Sequence, residues 1–542
     1  RKAAPFAVKD AQFRNIFHSC SAAPPVRICC GQGGISLPKK LPIFYSALLL
    51  TGVNLLLRLV GTSFQVYISG RIGAAGVGLL QLTMSVGSLA MVTGIAGVRT
   101  ATMYLTAEEL GKKRPGNVTW VLSGCFVYSI LCSTAVAAAL YFLAPALAEN
   151  WIGDVRTVNS LRLFAAFLPV SCLCGVMTGY FTAANRIGTL AAVEAAEQLC
   201  SMVVTMAVLT LWAGDDPGRA CQSVVMGGCF GACLTLCCLM LLRLAERVKP
   251  GPKIPIRSRL LQAAVPLAMA DVLKSGISTT ENLMVPKRLA LNSLIDSPLA
   301  AFGIVSGMVF PVLMFPACIL FGLAELLIPE LARCVAAGSK QRISYLVRRS
   351  LRTAMLYGIV FSGLEFLLAE GLCNSLYHNA EAGRWLRLYA LLIPMLYCDA
   401  ITDAMTKGLG QQKVCVRYNI ITNSMDVFFL YFLLPKYGME GYFFSFFITH
   451  LVNFILSLRR LLIITGETIP FSVPALSVAA ALAAGWGASR FASPVLRAGT
   501  YPVLLGCLMC LFGVLGRQDI AWLKGLLRGK AIAKTRTFSK SA

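Results

Sequence analysis

The residues of this chain that could do chemistry lie in stripes inside long apolar runs. Between Leu260 and Val285, the residues Asp271, Lys274, Ser275, Ser278, Glu281 and Asn282 fall at i, i+3, i+4, i+7, i+10 and i+11. At about 100° per residue they occupy one arc roughly 120° wide. A helix polar along one face suits the wall of a hydrated cavity that binds a polar or charged solute. The alternative is a structural pair, since Asp271 and Lys274 can meet along their own helix, but a pair needs two polar residues and not six. Two more stripes follow: Asp399, Asp403 and Lys407 at i+4 steps, and Asn419, Asn423 and Asp426 at i, i+4 and i+7. Hard cations take oxygen ligands, so Asp399, Asn419, Asn423 and Asp426 form a candidate site for Na⁺ or a proton relay. Interhelical hydrogen bonding is the competing role. Arg58 interrupts another apolar run; its permanently charged guanidinium grips phosphate bidentately, against the alternative of snorkelling to the surface. Glu194, Glu197 and Gln198 either face the interior of the first half or tie helices together.

No nucleophile and base constellation and no phosphate-cradling glycine loop stands in the sequence, so no catalytic residue is assigned. Most of the 20 cysteines sit in apolar runs, where cysteine behaves as a small hydrophobe. Cys507 and Cys510 have a redox-like spacing, but their apolar setting predicts core packing. With three histidines in all, the sequence establishes no metal site.

The elements that must position these residues follow from composition. The chain has 542 residues, 57% hydrophobic and 13% charged, with a mean hydropathy of +0.71, which excludes a soluble globular protein. Apolar runs at Pro42 to Ile68, Val77 to Tyr104, Val118 to Ala144, Leu161 to Phe181, Leu190 to Trp212 and Val224 to Leu244 predict six spans. Six more follow from Leu260 to Leu458, then a pair at Phe471 to Phe491 and Tyr501 to Leu515, about fourteen in all. The fold class expected is an all-α polytopic membrane protein with two six-helix lobes and two C-terminal helices. Alternate loops and both termini hold roughly 35 Lys and Arg against about 10 in the opposite loops, which places both ends in the cytoplasm. The net charge of +25 is thereby explained by topology, and nucleic acid is not the expected partner.

The domains read as follows: 1–38 a disordered extension or a start placed too far upstream, 39–245 the first lobe, 246–259 a basic linker, 260–465 the second lobe, 466–516 the last two spans, and 517–542 a basic cytoplasmic tail. Asn117-Val-Thr119 matches a glycosylation sequon but lies beside the cytoplasmic Lys112 cluster. Pro42 aligns with Pro266, and Ala75-Gly-Val-Gly78 with Ala301-Phe-Gly-Ile304, a weak repeat of six spans plus six. Related lobes with a site at their interface are the usual architecture of secondary transporters.

Arg71-Ile-Gly-Ala-Ala-Gly-Val-Gly-Leu79, Gly179-Tyr-Phe181 followed by Glu197-Gln198, Leu327-Ile-Pro-Glu330, Gly408-Leu-Gly410 and Tyr437-Gly-Met-Glu-Gly441 stand in order along the chain. With the spans around them, they resemble the stage V sporulation protein B family. That family lies within the multidrug, oligosaccharidyl-lipid and polysaccharide exporter superfamily and has a MATE-like fold. The resemblance runs from Lys39 to Arg517. It implies a flippase for a polyprenyl-linked sugar or peptidoglycan precursor, serving spore cortex or cell wall, with two lobes around a central cavity and the last two helices outside. Relatives that flip the peptidoglycan precursor set cationic residues against its diphosphate; Arg58 and Lys274 are the nearest matches in kind.

Two other readings compete with it. A cation-coupled exporter of organic cations would use Asp271, Glu281, Asp399 and Asp426. A membrane enzyme acting on polyprenyl phosphates would need an external loop that this sequence lacks. No cofactor is expected beyond coupling to Na⁺, H⁺ or the membrane potential, and a monomer in the cell membrane is the expected state.

Overall fold

Inside a bilayer every backbone polar group must be satisfied within its own segment, so these apolar runs form helices. The computed structural model describes residues 43–514, apart from Lys113, Asp215, 247–250, 253–254, 468–471 and Ala492. The expected extension at 1–38 and the tail at 517–542 lie outside the described residues, as does the side chain of Arg58. The helices are α1 (Ile43–Ile95), α2 (Val98–Gly111), α3 (Asn117–Ala146), α4 (Val158–Ala183), α5 (Ile187–Val208), α6 (Pro217–Ala245), α7 (Arg257–Leu289), α8 (Pro298–Gly303), α9 (Phe310–Leu313), α10 (Ala317–Ala336), α11 (Lys340–Tyr377), α12 (Ala380–Ala390), α13 (Ile393–Gly408), α14 (Gln412–Thr465), α15 (Ser472–Ser489) and α16 (Pro494–Leu511).

Among the described residues nine helices are long and apolar enough to cross a membrane, or eleven if each bent pair is one span. Helix α1 has 53 residues and α14 has 54. At about 1.5 Å per residue each is roughly 80 Å long, more than twice the hydrocarbon core. Each contains a non-helical glycine, Gly73 (φ 68°) in α1 and Gly438 (φ 56°) in α14. In α14 the reversal is direct: Asp426 meets Ser445 and Thr449 across it. Two spans in each of these, with the shorter apolar helix at Val473–Ser489, are consistent with fourteen.

Two spans are broken. Pro298–Leu313 and Ala317–Ala324 meet at 67°, and Ala380–Ala390 and Ile393–Gly408 at 58°. Proline opens the second segment in both cases, Pro316 at the N-cap of α10 and Pro394 in the first turn of α13, where its missing N–H costs nothing. The carbonyls freed at the first break are satisfied by tyrosines: Tyr397 donates to Leu313 O at 3.0 Å and Tyr357 to Pro316 O at 2.7 Å.

The apolar cores show how the two lobes meet. At the end opposite the basic loops one core joins them, with Leu79, Leu82, Val86, Leu161 and Leu168 of the first and Phe302, Val305, Met308 and Leu313 of the second. At the basic end the first lobe has its own core of Val98, Leu105, Val121, Val176 and Phe181, shared only with the start of α7. The lobes are fused at one end and have separate cores at the other.

The last two helices dock on α11. Tyr501 donates to Ile359 O at 3.2 Å, its ring lying where Gly363 lacks a side chain. A methyl there overlaps the phenol, so Gly363→Ala is expected to cost about 1–3 kcal/mol. Melting of the purified protein checks this, and adding Tyr501→Phe should restore part of the loss. Cys507 and Cys510 correct an expectation: both are exposed, because Tyr501, Leu505 and Met509 form the buried stripe of α16 and the cysteines lie off it. Asn117 is buried and donates to Glu109 at 3.0 Å, so the sequon is closed to a glycan.

Candidate functional site

Helix α7 runs between the lobes and engages both. At its base Arg259 bridges Glu108 at 2.6 Å and Glu109 at 3.1 Å. One turn further on, its backbone packs against Gly97: a Cβ there would lie 2.5 Å from Ala264 O. Gly97 has φ 71°, so the break between α1 and α2 and the close approach of α7 both call for glycine.

Higher on α7, Thr279 donates to Ser85 O at 3.2 Å and Asn282 to Ser85 Oγ at 3.0 Å. Beside these bonds lies a cavity of about 180 Å³, lined by Gln81, Met84, Ser85 and Ser88 from α1 and by Ser275, Ser278, Thr279 and Asn282 from α7. Hydroxyls and amides make its walls. Asp271 and Lys274 are exposed further toward the basic end of α7. No ion pair joins them among the described residues, so pairing along the helix does not account for them.

Glu281 stands apart from this cavity. It is turned into the second lobe toward Asp426. The cause is angular: Glu281 lies roughly 80° from Asp271 on one side of the arc, while Ser275 and Thr279 lie on the other. The two edges of the polar face therefore meet different neighbours.

Within the second lobe, Asp426 is 7% exposed and accepts from Ser445 at 2.6 Å and Thr449 at 3.2 Å. One turn beyond Thr449, Asn453 donates to Asp399 at 3.0 Å. Asp399 and Asp426 are thus held by one polar stripe, Ser445, Thr449, Asn453 and Ser457, buried throughout at i+4 steps. The sequence analysis missed this stripe, although its spacing was there to be read. Asn419 and Asn423 lie on the same limb of α14 as Asp426, half-buried. Asp403 pairs with Lys407 at 2.6 Å and is not part of the buried group.

In the first lobe Glu197 accepts from Thr235 at 2.7 Å, and Gln198 donates to Leu57 O at 3.1 Å. Both tie helices together, which decides between the two roles open to them in the sequence. Arg162 lies over the Tyr141 ring at 5.2 Å.

Away from the basic end the path is closed by backbone contact. Gly78, Gly303 and Gly307 let α1 and the segment Pro298–Leu313 approach until a methyl on Gly303 would overlap Ala74 O, and one on Gly307 the Val77 side chain. Lys287 adds a hydrogen bond to Asn150 O across the same end. The arrangement is a polar chamber shut at the end away from the basic loops.

Comparison with known proteins agrees with this geometry. A MatE family model matches residues 266–432 and a polysaccharide biosynthesis protein model residues 74–295. Stage V sporulation protein B of Bacillus subtilis (strain 168) is 20% identical over 411 residues, covering 73% of this chain and 78% of that protein. Among solved structures, a lipid II flippase MurJ in an inward closed conformation superposes with a TM-score of 0.66 at 14% identity, covering 86% of this chain and 98% of that one. An inward-facing MATE family multidrug transporter gives 0.60 at 12% identity, over 78% of this chain and 100% of that one. The expected resemblance and the two-lobed MATE-like fold are both borne out, and the chain is a multi-pass membrane protein.

Proposed function

We propose that the protein is a flippase that carries a lipid-linked oligosaccharide or peptidoglycan precursor across the cell membrane by alternating access. The observation that carries this reading is the polar chamber between the lobes, closed at one end by glycine contacts, together with the likeness to stage V sporulation protein B. The basic end is taken to face the cytoplasm, as the Lys and Arg bias of the loops expects, and the cargo then enters from inside. The sugar headgroup enters the chamber against hydroxyls and amides, which suit a polyol, while the polyprenyl tail stays in lipid. The protein acts as a monomer and makes or breaks no bond in its cargo. Spore cortex or wall synthesis is the process it serves.

Arg58 and Lys274 are assigned to the diphosphate. A charge-assisted hydrogen bond contributes about 1.5–3 kcal/mol, or roughly 10- to 100-fold in affinity. Lys274→Ala and Arg58→Ala should therefore lower rescue of a flippase-deficient strain at least tenfold while the protein still inserts, and Lys274→Arg should retain most of it. Wild-type rescue by both alanine variants would end the assignment. Coupling is placed at Asp426, with Asp399, Asn419 and Asn423 near it, as a site for Na⁺ or a proton. Export of organic cations is the second reading, favoured by the carboxylates Asp271 and Glu281 on α7. Vesicles offered a polyprenyl-linked sugar or a cationic dye separate the two.

A further inference from the structure

One buried carboxyl takes no part in any of this. Glu365, in the middle of α11, is 5% exposed, and among the described residues neither of its oxygens has a hydrogen-bond partner. Burying an ionised carboxylate without a partner costs far more than a fold of marginal stability can carry. The side chain is buried while most of the helix around it is half-buried, with α12 and α13 packed against it. On one flank Gly358 of α11 meets Pro394, at the start of α13; on the other, Gly383 of α12 meets Ala369 and Glu370. Glu365 lies between these two contacts, about two turns along α11 from the one at Pro394.

The groups around it complete the description. Tyr357 and Cys373 of its own helix and Tyr397 of α13 are the titratable groups within its electrostatic reach. Both tyrosines spend their hydroxyl protons on the carbonyls of the other break, at Pro316 and Leu313. Cys318 of α10 faces the same tyrosines. The Arg387 guanidinium of α12 is held by Glu370 at 2.9 Å and stacked 4.7 Å above Phe366. Among the described residues the carboxyl is left with neither a hydrogen bond nor an ion pair.

We propose that Glu365 is a second site for a small monovalent cation, H⁺ or Na⁺, on α11 about two turns from where the breaks at Leu313–Pro316 and Ala390–Ile393 meet that helix, and distinct from the group around Asp426. Broken helices serve ion sites because their freed backbone oxygens stand beside a cavity or a buried ligand. Filling and emptying this site changes the charge beside two bends that must flex if the second lobe is to rock.

The test uses the full-length protein in lipid nanodiscs and does not depend on any transported substrate. Carbodiimides form a stable adduct with a protonated carboxyl in apolar surroundings, and peptide mass spectrometry locates it. Labelling is run over a pH series in choline chloride and in NaCl, with E365Q, similar in shape, to assign the adduct. The expected result is an adduct at Glu365 that either falls about tenfold per pH unit above its midpoint whatever the salt, identifying a proton, or is suppressed several-fold by Na⁺ and not by choline, identifying sodium. An adduct indifferent to both pH and Na⁺ would overturn the proposal. So would no adduct at Glu365 under any condition when the unfolded protein is labelled there.

Discussion

Gly303→Leu is expected to abolish transport, by at least about 100-fold, while leaving the protein folded and in the membrane. Its Cα is packed against the backbone of α1 at Ala74 and Gly78, and neither partner can move aside as a side chain would. Even a methyl overlaps the Ala74 carbonyl, and a branched side chain holds α1 and α8 apart. Overpacking of this kind costs about 1–3 kcal/mol where neighbours can yield; here the cost falls only on the state in which the outer end is shut. A penalty of about 3 kcal/mol on one of two states lowers its population more than 100-fold. Cysteine labelling checks this. With Ser278→Cys in a background of replaced native thiols, an impermeant maleimide should react from the basic end in the parent and from the opposite end in Gly303→Leu. Unchanged sidedness would show that these glycines do not form the door.

Asp426→Asn is expected to have the second largest effect, a fall in coupled transport of roughly 10- to 100-fold with loss of its dependence on Na⁺ or pH. The substitution keeps the volume and leaves an oxygen to accept from Ser445 and Thr449, so the packing of α14 survives. It removes the charge, and hydrogen bonds to a charged group contribute about 1.5–3 kcal/mol. The control is Asp403→Asn. That carboxylate is paired with Lys407 at the basic boundary, where exposed ion pairs contribute little, and less than a twofold change is expected. Equal effects of the two substitutions would remove Asp426 from the coupling mechanism.

The spans were legible in the sequence because hydropathy alone sets them, and the turn at Gly73 falls between two runs read as separate. The breaks at Leu313–Pro316 and Ala390–Ile393 were not legible. Hydropathy runs through both without interruption, and only Pro316 and Pro394 mark them. The polar face of α7 was read correctly as a face but not as two edges, since the partners at each edge come from helices more than a hundred residues away. Asp426 was found by its spacing with Asn419 and Asn423. Glu365 was missed because a single acid in an apolar run has no spacing to betray it, and its significance lies in what does not surround it. The side chain of Arg58 lies outside the described residues, and its role rests on the sequence alone.

The central claim is that a lipid-linked sugar crosses the membrane through the chamber between the lobes. The direct measurement places a fluorescent polyprenyl diphosphate sugar in one leaflet of proteoliposomes and follows its arrival in the other with a membrane-impermeant quencher. The expected result is movement that requires the protein, is lost in Gly303→Leu and falls at least tenfold in Lys274→Ala. Proteoliposomes that leave this lipid in place while accumulating a cationic dye would contradict it.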